Sequence, residues 1–321
     1  MQRILVTGAN GFVGRRLLYI LLQRGMTVRA TSRLIPSHPV EGIAEWYKAD
    51  LADENIHLLD LCRDCQAVIH LAGQAHDPTA SAAVFDAVNR RLTQRLAQTA
   101  AAAGVQHFIF LSTIKVHGEG QEPGREHAYT EVDTPAPEDD YARSKLAAEL
   151  ALQEACQASN MNFTIIRPPL IFGPGVKGNF LALLRVINMG LPLPLGSIRN
   201  RRSLVFVDNL CDLLVRLIIS PAAANRVCPV SDMTVSTPEL IRAMANALGT
   251  MTVVFPCPPG LLRILGTVSG RRAAVDRLTQ SLVIDDSAMR RSLGWRPPVS
   301  AAVAMQQTAD WFLSAGMRAK E

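Results

Sequence analysis

Aromatic side chains are scarce in this chain, at 5% of 321 residues, and none interleaves with a basic stripe. Lys and Arg number 33 against 28 acids, a mild excess spread along the chain rather than gathered in a run. Together these absences exclude the stacking-plus-phosphate surface that nucleic-acid binding needs. A stretch of about 20 apolar residues free of charge is missing too, so no stable membrane insertion is expected. The start, MQRILVTGAN, has the wrong order and polarity for a signal peptide, and the expectation is a cytoplasmic protein. The six cysteines are scattered. Cys62 and Cys65 form a lone CxxC without a second pair or nearby histidines, which argues against a zinc or redox centre. No metal is expected. What is there is 48% hydrophobic and 19% charged, a globular composition with length enough for one large or two modest domains.

Short β-rich apolar runs alternate with helical patterns through the first half. RILVTG (3–8), TVRATS (27–32), AVIHLAG (67–73), HFIFLST (107–113) and NFTIIRP (162–168) read as buried parallel strands, nearly continuous in hydrophobicity. Amphipathic stretches at 13–24, 82–103 and 141–158 separate them. This alternation predicts an α/β fold, a Rossmann-type doubly wound parallel sheet. After residue 170 proline and glycine become frequent and helical segments shorten. The expected division is 1–170 as a dinucleotide-binding domain and 171–321 as a smaller α/β substrate domain, with 203–220 a candidate to return to the first.

The first strand runs straight into TGANGFVG, then a helix. In that context Gly8 permits a tight turn, Gly11 lets the backbone approach a pyrophosphate, and Gly14 lets helix pack on strand. Asn10, Phe12 and Val13 complete the turn, and the helix N-terminus faces the phosphate. An NAD enzyme normally places an acid at the end of the second strand for the adenosine ribose. Here that place holds Ser32, followed by Arg33. A hydroxyl with a guanidinium accepts a 2′-phosphate that a carboxylate would repel, which favours NADP(H) and leaves NAD(H) open. Asp50, followed by Leu51 in ADLAD, is placed to accept from the adenine amino group.

Tyr141 and Lys145, four places apart in DYARSKLAAE, share one face of a predicted helix. A solvated pair near a capped helix start would look the same by spacing alone. Other stretches decide the matter. The strand before LSTIKVHGE (111–119), the glycine turn and the Tyr-x-x-x-Lys together resemble the extended short-chain dehydrogenase/reductase family, the nucleotide-sugar epimerases and their relatives. HLAG (70–73), Asn89 in VNRRLT, RPPLIFGPG (167–175), RRSLVFVDNL (201–210) and LGWRP (293–297) follow in the family's order, so the resemblance covers nearly the whole chain. It implies that Lys145 bonds the nicotinamide ribose and lowers the phenol pKa of Tyr141, which exchanges a proton with a sugar oxygen. Thr113 would bond the same oxygen. Ser112 is expected as a cofactor-side or structural hydroxyl, and Leu71, Ala72, Gly73, Asn89 and Pro168 as cofactor neighbours.

The family's dehydratases carry an Asp-Glu pair directly after that Thr; here the places hold Ile114 and Lys115. Dehydration is therefore not expected, which leaves reduction of a 4-keto sugar or C4 epimerisation. STIKVHGE and HLAGQAH look like the bacterial branch that reduces UDP-4-keto-6-deoxy-N-acetylhexosamines for surface polysaccharide, and this is the expected activity. A UDP-hexose 4-epimerase with tightly held NAD is the alternative, and a non-catalytic dinucleotide sensor the reading from another class. The resemblance also implies that Asn179, Arg202 and Arg277 grip the substrate diphosphate, that MGLPLPLG (189–196) reads the base, and that 82–103 and 141–158 pair two copies into a homodimer.

Overall fold

The structure is a computed structural model, and it describes residues 3–318 except 44, 75–79, 125–126, 269 and 271. The Ala75–His76 end of HLAGQAH lies outside the described residues. All five expected strands form, as Arg3–Thr7, Thr27–Ser32, Ala67–His70, His107–Leu111 and Asn162–Arg167. Two more join them, Glu45–Lys48 at one edge and Arg226–Pro229 at the other, giving a seven-stranded sheet. Every pairing in it is parallel. From the last edge inward the order is 226–229, 162–167, 107–111, 67–70, 3–7, 27–32 and 45–48.

Side chains alternate across this sheet, as the period of two demands. Ile4 and Val6 enter one core cluster, with Leu17 and Leu21 of the Phe12–Gln23 helix and Leu210 and Leu214 of the Val207–Ile219 helix. Leu5, Phe108 and Phe110 enter the other, with Leu96 and Leu152 of the Leu92–Ala102 and Asp140–Gln157 helices. Both faces are thus covered by helices, which is why the strands read as nearly unbroken apolar runs.

Within residues 203–220 the strand and the helix part company. Arg202–Phe206 pairs with Leu170–Phe172 and Met233–Val235 in a separate three-stranded sheet; the helix at 207–219 and the strand at 226–229 are what cross back. The expected 82–103 helix is also interrupted: Ala82–Phe85 is α-helical, Asp86–Arg91 forms a π turn, and the α-helix resumes at Leu92–Ala102. Among the described residues no helix is long and apolar enough to cross a membrane.

Candidate active site

In-register pairing sets Thr7 beside both Thr31 and His70, so the carboxyl ends of the inner strands finish together. Ligands of open α/β sheets sit beyond such ends. The turn after Thr7 is built on glycine. Gly8 has φ +66°, and a side chain there would stand 2.7 Å from the Ala72 nitrogen. A Cβ on Gly14 would fall 2.3 Å from the Gly8 carbonyl oxygen, so the helix packs against the turn only because that atom is missing. Gly11 caps the Phe12–Gln23 helix without a side-chain acceptor, and no acid stands in its first turn. Open N–H groups at a positive helix end fit a dinucleotide pyrophosphate. Val13 is buried and Phe12 packs on the core, so backbone is what they would offer a phosphate. The Asn10 amide donates to the Leu34 carbonyl at 3.4 Å.

The second side of the cradle is HLAG. Thr7 Oγ1 pairs with His70 Nδ1 at 2.6 Å and accepts the Ala72 N–H at 3.2 Å, which fixes Leu71, Ala72 and Gly73 beside the glycine turn. His70 is fully buried and its other ring nitrogen contacts Thr93 Oγ1 at 3.1 Å; burial, with Lys145 nearby, pushes it down to about 3, so it stays neutral. A Cβ on Gly73 would meet Asn89 Oδ1 at 2.9 Å and Lys145 Nζ at 3.3 Å. Asn89, on the π turn, accepts the Gln74 N–H at 2.9 Å and donates to Ser144 Oγ at 2.8 Å. Asn89 therefore braces the loop against the Tyr141 helix, and both ends of its amide are used within the protein.

Three of the expected cofactor-side residues have partners within the protein. The Ser32 hydroxyl donates to the Leu34 carbonyl at 2.8 Å and accepts from Trp46 Nε1 at 2.9 Å; its one proton is spent on the turn, leaving none for a phosphate. Arg33 beside it is exposed. The Ser112 hydroxyl donates to the Glu149 carboxylate, a contact of the structural kind among the two roles expected for it. Asp50 is exposed, with Oδ1 accepting the Ala52 N–H at 3.2 Å, while Leu51 is buried in the core.

The strand end 111–113 faces the Asp140–Gln157 helix residue by residue. Lys145 Nζ donates to the Leu111 carbonyl at 2.8 Å and lies 4.5 Å from the centre of the Phe110 ring. Glu149 is held by Ser112 and by Arg167, whose Nη2 donates to it at 2.6 Å. Arg167 Nη1 also meets His117 Nε2 at 2.8 Å. The Pro168 carbonyl accepts the Ile114 N–H at 2.9 Å, tying the turn after Thr113 to the neighbouring strand.

Burial governs the electrostatics of the pair in the absence of cofactor. Burial pushes the Tyr141 phenol up to about 12; hydrogen bonding from Thr113 works against this and the Asp139 charge adds to it. Burial likewise pushes Lys145 down to about 8, with Glu149 opposing. Desolvation dominates, and without cofactor Tyr141 is a neutral proton donor at pH 7.

Across the cleft, Arg202 is half-buried; its Nη1 donates to the Gln280 carbonyl at 3.1 Å. Burial lowers its pKa, with Glu119 opposing and the Arg277 charge adding. Two guanidiniums near enough to repel each other suit a diphosphate. Asn179 is exposed in the first turn of the Gly178–Asn188 helix. In the MGLPLPLG segment, Leu193 and Gly196 donate to the Val253 and Phe255 carbonyls at 2.8 and 2.9 Å, so those amides are committed to the fold and not to a base.

Residues 4–228 match the NAD dependent epimerase/dehydratase family. The chain belongs to that family. It is an enzyme of the NAD(P)-dependent extended short-chain dehydrogenase/reductase type. It is 40% identical to a UDP-glucose 4-epimerase of Vibrio cholerae over 99% of this chain and 97% of that protein. It is 26% identical to the N-acetyl-alpha-D-glucosaminyl-diphospho-ditrans,octacis-undecaprenol 4-epimerase of Escherichia coli O157:H7 over 85% of this chain and 83% of that one. The solved UDP-glucose 4-epimerase of Thermus thermophilus, a complex with NAD, superposes with a TM-score of 0.75 at 23% identity, covering 98% of this chain and all (100%) of that one. At that identity the likeness shows the fold alone.

Proposed function

We propose that this family member is a UDP-hexose 4-epimerase that holds NAD tightly, with UDP-glucose as its first substrate to test. The observation that carries this reading is the 40% identity, end to end, with the Vibrio cholerae UDP-glucose 4-epimerase. NAD+ when bound would supply a hydride acceptor that returns what it takes from sugar C4. Gly8, Gly11 and Gly14 would hold its pyrophosphate, and Lys145 its nicotinamide ribose. Tyr141 would remove the O4 proton and give it back on the other face, with Thr113 holding O4. Arg202, Arg277 and Asn179 would grip the diphosphate, so that the sugar can turn while the nucleotide stays fixed. In this reading residues 1–170, with 207–229, form the dinucleotide domain, and most of 171–321 the sugar-nucleotide domain.

The second reading is reduction of a UDP-4-keto-6-deoxy-N-acetylhexosamine with NADPH. One observation favours it: no carboxylate stands at the ribose turn, where Ser32 is followed by exposed Arg33. Proton NMR of two mixtures separates the readings. With UDP-glucose and no added NADPH, the epimerase gives the galacto-configured sugar without net cofactor change. No product there, with stoichiometric NADPH consumption on the 4-keto sugar, overturns the epimerase in favour of the reductase.

A further inference from the structure

The turn Ile114–His117 follows Thr113 directly, and Ile114, Val116 and His117 are buried. Lys115 is its remaining member, with 23% of its side chain exposed. Its backbone N–H donates to Thr113 Oγ1 at 3.3 Å. Its ammonium forms ion pairs with Glu119 and, at 3.2 Å, with Asp139 Oδ2. Asp139 is the cap of the helix that carries Tyr141: its Oδ1 accepts the Ala142 N–H at 2.6 Å. One residue thus touches Thr113 through its backbone and the first turn of the Tyr141 helix through its side chain.

Resting on the C4 reading above, we propose that Lys115 is a positioning residue: its ammonium ties the Thr113 turn to the Asp139 cap and offsets the carboxylate charge beside the Tyr141 phenol. The charged surroundings are specific. Thr113 from the turn and Asp139 from the cap act on the phenol, and Lys145 stands four residues on along the same helix. Glu119 and Asp139 both face the Lys115 ammonium. Glu119 in turn lies opposite Arg202 from the Arg202–Phe206 strand, which is also in the field of Arg277, and its N–H donates to Glu138 Oε1 at 3.3 Å. Removing Lys115 leaves Asp139 without its cation next to a half-buried phenol, where a charge is less screened than in water. It also frees the turn from the helix cap. A lysine held by two acids cannot serve as the base of a dehydration, so its place after Thr113 calls for another role. An ordinary exposed i,i+4 pair with Glu119 would by itself contribute little; the contact with Asp139 is what gives Lys115 reach to the reacting group.

The test reads Tyr141 directly. Tyrosinate absorbance is followed in the milliseconds after an alkaline pH jump, with and without saturating NAD. Each variant is compared with its own Tyr141→Phe counterpart, so that only residue 141 contributes. Lys115→Met is expected to move the Tyr141 transition upward by about 0.5 pH unit or more, and Asp139→Asn, which keeps a capping side chain, to move it downward. Lys115→Arg restores the parental value. In turnover, Lys115→Met lowers kcat about 10-fold while KM for UDP-glucose stays within about threefold. A merely structural pair would shift both variants the same way or neither, and either result overturns the proposal. If Lys115→Met does not fold, Asp139→Asn decides alone: a downward shift supports the proposal and an unmoved transition ends it. The optical readout needs no sugar, so failure to convert UDP-glucose would count against the epimerase reading and not against Lys115.

Discussion

The indole N–H of Trp46 donates to the Ser32 hydroxyl at 2.9 Å, and that hydroxyl donates onward to the Leu34 carbonyl. The ribose turn is therefore braced from the adjacent edge strand, and any discrimination of a 2′-phosphate falls to Arg33. Arg33→Glu should weaken NADPH by about 10-fold or more, the scale of a charge-assisted bond, with NADH changed less than about threefold. Titration by cofactor fluorescence measures both; equal losses would remove Arg33 from the phosphate side.

Tyr141→Phe should leave folding and dinucleotide binding intact and cut turnover by about 10²-fold or more, the scale of general acid–base catalysis. Circular dichroism and NAD titration check the first half, and NMR-followed conversion of UDP-glucose the second. Near-parental turnover would end the proton-transfer role.

Acid should destabilise the protein well before its carboxylates titrate. Burial pushes His70 down to about 3 and His107 and His117 to about 4. Below the unfolded value of about 6.5 the unfolded chain binds protons that the native state refuses, so stability falls as pH drops from there. The loss should be on the order of 1 kcal/mol per pH unit for each of these imidazoles between pH 6 and 5. Urea unfolding at pH 7.5, 6 and 5 tests it; equal midpoints at all three would mean that these rings titrate freely in the native state.

We expect a homodimer that buries the groove between the Leu92–Ala102 and Asp140–Gln157 helices, lined by Gln98, Ala101, Ala151 and Ala155. Leu150 on the second helix is 58% exposed in the single chain, an apolar side chain suited to a covered face. Light scattering at micromolar concentration should give a dimer for the parent and a folded monomer for Leu150→Arg. A monomeric parent would refute the pairing.

The glycine turn and the five inner strands are legible because each rests on local sequence, turn chemistry and period, whereas Thr113, Tyr141 and Lys145 are singled out by the family resemblance, their spacing alone leaving the matter open. What the sequence does not yield depends on distant partners. Nothing near Glu149 announces that Ser112 and Arg167 will converge on it, nor does anything near Ser32 point to Trp46. The sign of the Tyr141 shift escapes a reading by spacing, which shows the lysine neighbour but not the desolvation of the site. The π turn holding Asn89 is hidden because its sequence is an ordinary helical one. Glu45–Lys48 is too short to signal a strand, and Arg226–Pro229 begins with a charge and ends with a proline, a poor strand signal away from an edge.

That last strand has a consequence for how the protein is made. Asn162–Arg167 finds its outer partner only in Arg226–Pro229. While the ribosome is still synthesising the intervening segment, the emerging sheet carries an open parallel edge. At about 5–20 residues per second that interval lasts several seconds. During it the nascent chain displays unpaired backbone groups that another chain could capture. Translation rate through 170–229 should therefore govern how much of the protein reaches the soluble fraction of an expressing cell.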